Sequence, residues 1–349
     1  MPDSREAIIF VHGYDVKEKG YYLDFLIEAL TKCARKKSVS VEGEANIQNV
    51  SGKRLNVNHS NDSKTVDVFE AYWADYIKPL SKEDIKTKVV RGFQLIVYWI
   101  SSKHWKSVRQ SKYMKTSIFL SQLSLLFWYL STLALAVSVI GSNDILEKYL
   151  LGSYAKHVGA VETWALIVWI VMASIMKFLP IRAGIDVTEF VRSYLQKDLV
   201  DNKLRLNIHL QNRVWEICQK ILNDDKYSKV TIVAHSFGVA ICTNLLADYK
   251  NLSTISVRYI TLGGALPLLA WKSDEMKKSV EKCLDNDSFE WIDYYSRQDW
   301  MCSKLADSNI EKGYKNCPID FKSSILKMFN GNTHSYYFSN TEIMENILS

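Results

Sequence analysis

The chain has 349 residues, 48% of them hydrophobic, and a formal net charge of +6. That length suits one compact domain carrying a large insertion, and the charge is too mild to argue for nucleic acid. Six scattered cysteines (Cys33, Cys218, Cys242, Cys283, Cys302, Cys317) include no CxxC pair, which argues against a disulfide framework or zinc site and for reduced thiols in a cytosolic setting.

The start, MPDSREAIIF, lacks the basic stretch, longer apolar core and small-residue cleavage site of a signal peptide. The run Ala7 to Val11 predicts a strand buried on both faces, and it stops at His12-Gly13-Tyr14. Leu23, Phe25, Leu26, Ala29 and Leu30 recur at helical spacing, so a helix is expected over about 21–34. Residues 37–64 are polar and rich in Asn, Ser and Gly and read as an irregular hairpin or excursion. A second strand is predicted over 66–73.

The middle of the chain changes character. Thr116 to Asn143 contains no Asp, Glu, Lys, Arg or His, and as a helix it would be roughly 40 Å long. A second run, Val158 to Met176, carries only Glu162. The pair predicts a transmembrane hairpin with spans at about 117–141 and 158–178. Lys103, Lys106, Arg109, Lys112 and Lys115 precede it, and Lys177 and Arg182 follow it. The positive-inside rule then puts both outer ends in the cytoplasm. Small and hydroxyl residues along the first span (Ser121 to Ser138) would permit close helix packing and a homo-oligomer.

Beyond the hairpin, helices are expected over about 186–200, 204–222, 238–249 and 274–284. Strands are expected at 229–234, 256–262 and 288–295, and a closing helix at 341–348. Strands alternating with helices predict a mostly parallel sheet.

The first of these strands, in the stretch VTIVAHSFG at 230–238, runs straight into Ser236, with Ala234 and Gly238 two residues to either side. Strand, x-x-Ser-x-Gly, helix is the context of a nucleophile elbow, whose tight turn demands small neighbours. Alanine at the first small position makes the motif weaker than GxSxG. A serine needs a base, and the base an orienting carboxylate. Only one histidine, His334, follows Ser236 in the sequence. The favoured acid is Asp299, just past the last predicted strand. Asp293 lies within that strand and Asp307 further along. The oxyanion donors expected are the backbone N–H groups of Phe237 and Tyr14. His12, Gly13, Ala234, His235 and Gly238 are read as supports of the elbow and of the loop facing it.

IIFVHGY, VTIVAHSFG, ITLGGALP, DYYSRQD and NTHSYYF, in that order, resemble the α/β-hydrolase family. More narrowly they are similar to lipase-like serine hydrolases of the GPI-inositol-deacylase type. Tyr72-Trp73-Ala74-Asp75 also resembles a Tyr-Trp-x-Asp segment of related bacterial hydrolases, with Trp73 and Asp75 as structural or pocket-wall residues. The resemblance implies an α/β-hydrolase fold and a Ser236–Asp299–His334 triad, with no metal or organic cofactor. The insertion departs from the family, since it enters before the nucleophile.

The organisation expected is a catalytic domain from 1–85 and 186–349 and an inserted membrane region at 86–185. The expected function is a two-span membrane serine hydrolase with a cytoplasmic catalytic domain. Its substrates would be carboxylic esters or thioesters of lipids or acylated proteins, and its partner membrane lipid. Two other readings stay open: a non-catalytic membrane scaffold or sensor, and a membrane-disrupting effector, in a bacterial defence setting, whose hairpin oligomerises.

Overall fold

The computed structural model describes residues 5–59, 62–77, 181–196, 199–200, 204–250, 255–299, 302, 304–305, 313–324, 327–328 and 331–349. It also describes isolated helical positions between 87 and 133. The chain divides into two compact units, 1–78 with 104–115 and 193–349, and 79–103 with 116–192.

The first unit is built on an eight-stranded mixed sheet, mostly parallel. Strand β1 (Arg5–Val11) lies between β4 (Asp62–Glu70) and β7 (Tyr227–His235), parallel to both. β8 (Ser256–Leu262), β9 (Glu290–Ser296) and β10 (Tyr314–Ile319) continue the parallel ladder on the β7 side. β2 (Ser38–Ile47) and β3 (Val50–His59) add an antiparallel hairpin beyond β4. The spatial order is β10-β9-β8-β7-β1-β4-β3-β2. β5 (Leu199–Val200) and β6 (Leu204–Arg205) form a separate two-residue pair.

Of the two readings of residues 37–64, the hairpin is the one found, and it is regular over 38–59. Two ten-residue strands meet at Gln48 and Asn49, whose φ values of 42° and 69° are both positive. Two consecutive positive φ values are what a tight type I′ hairpin turn requires.

The helices cover both faces of the sheet. α1 (Tyr21–Cys33) buries Leu23, Leu26, Ile27 and Leu30. They join Ile8 and Phe10 of β1, Val233 of β7 and Ile343, Met344 and Ile347 of the last helix in one core. Each such side chain, once buried, contributes about 2 kcal/mol. α3 (Leu206–Leu222) and α4 (Phe237–Leu246) contact β1 and β7, and α6 (Asp274–Leu284) packs on α4. α5 (Leu266–Lys272) joins β8 to α6, and α7 (Thr341–Ile347) closes against α1. Alternate residues of β1 thus meet apolar partners on opposite faces, which is why its apolar run is unbroken. α2 (Ile181–Gln196) starts in the second unit, where Arg192 grips Glu189 at 2.8 and 2.9 Å.

The membrane hairpin is overturned. Among the described residues no helix is long and apolar enough to cross a membrane. A span needs about 20 apolar residues in one helix. The longest described helix, α3, has 17 residues and carries Arg213, Glu216 and Lys220. Of the first expected span, 117–141, only Leu123, Leu126, Tyr129, Leu130 and Leu133 are described, and the second, 158–178, lies outside the described residues. The α/β class and the mostly parallel sheet stand. The transmembrane component of the fold, the two-span membrane location and the cytoplasmic orientation drawn from the flanking charges do not.

Candidate active site

β7 delivers Ser236 to the carboxyl edge of the sheet on a sharp turn. Ser236 has φ 54° and ψ −122°, and α4 begins at the next residue. A non-glycine residue at such a positive φ costs about 1–3 kcal/mol and persists only where its surroundings hold it. Its N–H donates to the Leu262 carbonyl at the end of β8 (3.0 Å), and its carbonyl accepts from Val239 (3.2 Å). The turn is thus tied to the neighbouring strand and to the helix it opens.

The small residues on either side do what the motif requires. Ala234 is fully buried between β1 and β8. At Gly238 a Cβ would sit 2.5 Å from the His12 carbonyl oxygen and against that of Val11 as well. At Gly13 a Cβ would sit 2.6 Å from Ser236 Cβ. The loop after β1 therefore passes directly against the serine, with Tyr14 immediately following. Phe237, at the other side of the serine, is the first residue of α4, at the electropositive end of the helix.

His334 and Asp299 are brought together. His334 Nδ1–H donates to Asp299 Oδ2 at 2.7 Å. Asp299 lies in a turn just beyond β9, its side chain inaccessible, while the His334 side chain keeps 14% exposure. His334 rides on a 3-10 helix, Asn332–Ser339. The Thr333 hydroxyl fastens that helix to the Asp299 turn by donating to the Gln298 carbonyl (2.9 Å). His334 Nε2 is buried and has no hydrogen-bond partner. With its proton on Nδ1, the imidazole presents a bare lone pair at Nε2, the form a general base needs.

Asp293 is no rival for this role. It is buried inside β9, where it accepts from Thr261 (2.6 Å) and Tyr314 (3.2 Å). Burial raises its pKa to about 6 despite those two donors. Asp307 lies outside the described residues.

Two further histidines frame the serine. His235 donates Nε2–H to the backbone carbonyl of His334 (3.0 Å), and the two rings lie 4.8 Å apart. Burial, and then the neighbouring His334, lower its pKa to about 3, so it is a neutral donor. His12 donates Nδ1–H to the Gly13 carbonyl (2.7 Å) and is sandwiched between Tyr22 (4.4 Å) and Trp73 (4.9 Å). Burial lowers its pKa to about 4. Trp73 is fully buried and donates Nε1–H to the His12 carbonyl (3.1 Å), bracing the loop from behind. Asp75 faces Arg213 at 3.7 Å on the surface.

Sequence reasoning missed Tyr337, whose hydroxyl also reaches Asp299, and Thr333, which joins the two loops. A tyrosine three places after the candidate histidine was visible, but nothing in the sequence tied it to residue 299. Comparison of the chain with protein-family models, with curated proteins and with solved structures returned no match.

Proposed function

We propose that the protein is a serine hydrolase that cleaves carboxylic ester or thioester bonds through an acyl-enzyme. The observation that carries this reading is the strained Ser236 elbow at the same sheet edge as a hydrogen-bonded Asp299–His334 pair whose Nε2 is unpartnered. Ser236 Oγ attacks the acyl carbonyl carbon and passes its proton to His334 Nε2. The negative charge that develops on the carbonyl oxygen is met by the N–H groups of Phe237 and Tyr14. His334 then protonates the leaving oxygen or sulfur as the carbon–heteroatom bond breaks. Water, activated by the same imidazole, releases the acid and restores the serine. Asp299 holds the imidazole in the Nδ1–H tautomer throughout.

The substrate class rests on this chemistry alone. The preference for lipid-like substrates came from membrane anchoring, and it loses its basis with the hairpin.

The test is labelling with a fluorophosphonate probe, wild type beside Ser236→Ala. Label on the wild type alone is the expected result. Equal label on both proteins would put the nucleophile elsewhere. No label on either would sink the catalytic reading in favour of a hydrolase-like scaffold.

A further inference from the structure

The Asp299 carboxylate has a second side-chain donor. The Tyr337 hydroxyl lies 3.1 Å from Oδ2, the same oxygen that receives His334 Nδ1–H. Tyr337 stands three residues after His334 on the same 3-10 helix, where side chains three apart eclipse. One short helix therefore points both rings at one carboxylate.

The tyrosine is itself held from several sides. Its side chain is fully buried. Its oxygen accepts the Ser296 N–H (3.1 Å) and lies 3.1 Å from Cys302 Sγ. The single phenolic proton goes to the carboxylate, and the Cys302 thiol has three acceptors for its own proton, the Tyr337 oxygen nearest and the Ser296 (3.5 Å) and Asp299 (3.6 Å) carbonyls beyond it. Burial, reinforced by Cys302 and Asp299, pushes the phenol pKa well above its usual value, so the donor keeps its proton. Gly263, at φ +61°, makes room for the arrangement. A Cβ there would lie 2.7 Å from Tyr337 Cε2 and 3.1 Å from Asp299 Oδ2.

We propose that Tyr337 is a positioning residue of the triad. It fixes the Asp299 carboxylate and sets how strongly that carboxylate draws on the imidazole proton. The proposal rests on the serine-hydrolase reading above. Two donors on one oxygen share its negative charge, and the tyrosine does this without adding a positive charge that would oppose imidazolium formation. Without the hydroxyl, Asp299 becomes a stronger acceptor toward His334, and the protonated imidazole persists to higher pH. Tyr337 touches no reacting atom and acts only through Asp299.

The experiment is the rate of fluorophosphonate labelling against pH for wild type and Tyr337→Phe. The far-downfield proton resonance of the His334 Nδ1–H is recorded on both. The variant is expected to label at Ser236 about tenfold more slowly at neutral pH, with its acid limb about half a pH unit higher or more. The Nδ1–H resonance should move. A profile that is merely scaled down, with an unmoved resonance, would overturn the proposal and leave the hydrolase reading intact. An unlabelled wild type would overturn both. If Tyr337→Phe does not fold, Cys302→Ala decides the matter, because it removes a donor that polarises the Tyr337 hydroxyl. Its acid limb should move the same way by less, and an unmoved limb would count against the proposal.

Discussion

The imidazole of His235 donates its Nε2–H to the main-chain carbonyl of His334 across 3.0 Å. The residue before the candidate nucleophile thus holds the backbone of the candidate base, and two chain segments 99 positions apart are locked together beside Ser236. Replacing His235 by Phe keeps a ring of similar size against Phe338, 4.9 Å away, but removes the N–H. Losing one buried hydrogen bond of this kind costs about 1–3 kcal/mol. The fluorophosphonate labelling rate should fall by about tenfold or more with no shift of its pH profile, since His235 is neutral above pH of about 3. A rate equal to wild type would show that the bond does not align His334.

Asp299→Asn keeps the shape of the acid and removes its charge. The amide can donate to Nδ1, which would leave the proton on Nε2 and deprive Ser236 of its acceptor. A loss of about four orders of magnitude in rate is expected, as for other triads of this chemistry. Labelling kinetics measure it, with circular dichroism confirming the fold. A loss below tenfold would mean that another carboxylate orients the base.

Gly238→Ala tests the packing beneath the elbow. The added methyl would lie 2.5 Å from the His12 carbonyl oxygen, a backbone atom that cannot swing aside. Overpacking of this type costs about 1–3 kcal/mol or more. The urea midpoint should fall, and labelling of the remaining folded fraction should fall with it, because the strain displaces the loop that carries Tyr14. An unchanged midpoint would refute the close approach.

Glu70 predicts a pH dependence of stability. It lies at the end of β4, almost fully buried, with Oε2 accepting the Gly20 N–H (2.6 Å) and Oε1 unpartnered. Burial raises its pKa to about 7 from an ordinary 4.5, against the lowering effects of the Gly20 bond and Lys19, and Asp24 adds to the rise. The folded state therefore holds this proton more tightly than the unfolded state does. The resulting penalty is absent below the unfolded value, grows as pH rises from about 4.5 to 7, and is constant above that. Glu70→Gln keeps an acceptor for Gly20 and has no proton to lose. Relative to wild type it should gain up to about 3 kcal/mol of unfolding free energy across that window. Urea melts at several pH values check this, and a constant difference between the two proteins would refute it.

Much of the site was legible because its requirements are local. Ser236 needs a strand before it, a helix after it and small neighbours, and all of these are written between residues 230 and 246. Chain order then singled out His334, and the end of β9 singled out Asp299. Tyr337 was not legible, since its link to Asp299 exists only once two loops meet. The regularity of the β2–β3 hairpin was not legible because most of β2 is exposed and polar and its turn uses Gln-Asn in place of a glycine pair. β10 hid because Pro318 interrupts it, which an edge strand tolerates. The expectation of a spanning hairpin rested on hydropathy alone, and among the described residues no helix is long and apolar enough to cross a membrane.

The place of β1 in the sheet has a consequence for synthesis. This strand of almost uninterrupted apolar residues is hydrogen-bonded on one side to β4, complete by residue 70, and on the other to β7, which starts only at residue 227. At about 5–20 residues per second, a ribosome takes roughly ten seconds or more to cover that gap. During that time one flank of Ile8-Ile9-Phe10-Val11 stands ready to pair with any extended strand it meets. A nascent chain stalled between these points should therefore bind holdase chaperones and aggregate readily, and the emergence of Tyr227–His235 should relieve both at once, in the same step that sets Ser236 in its turn.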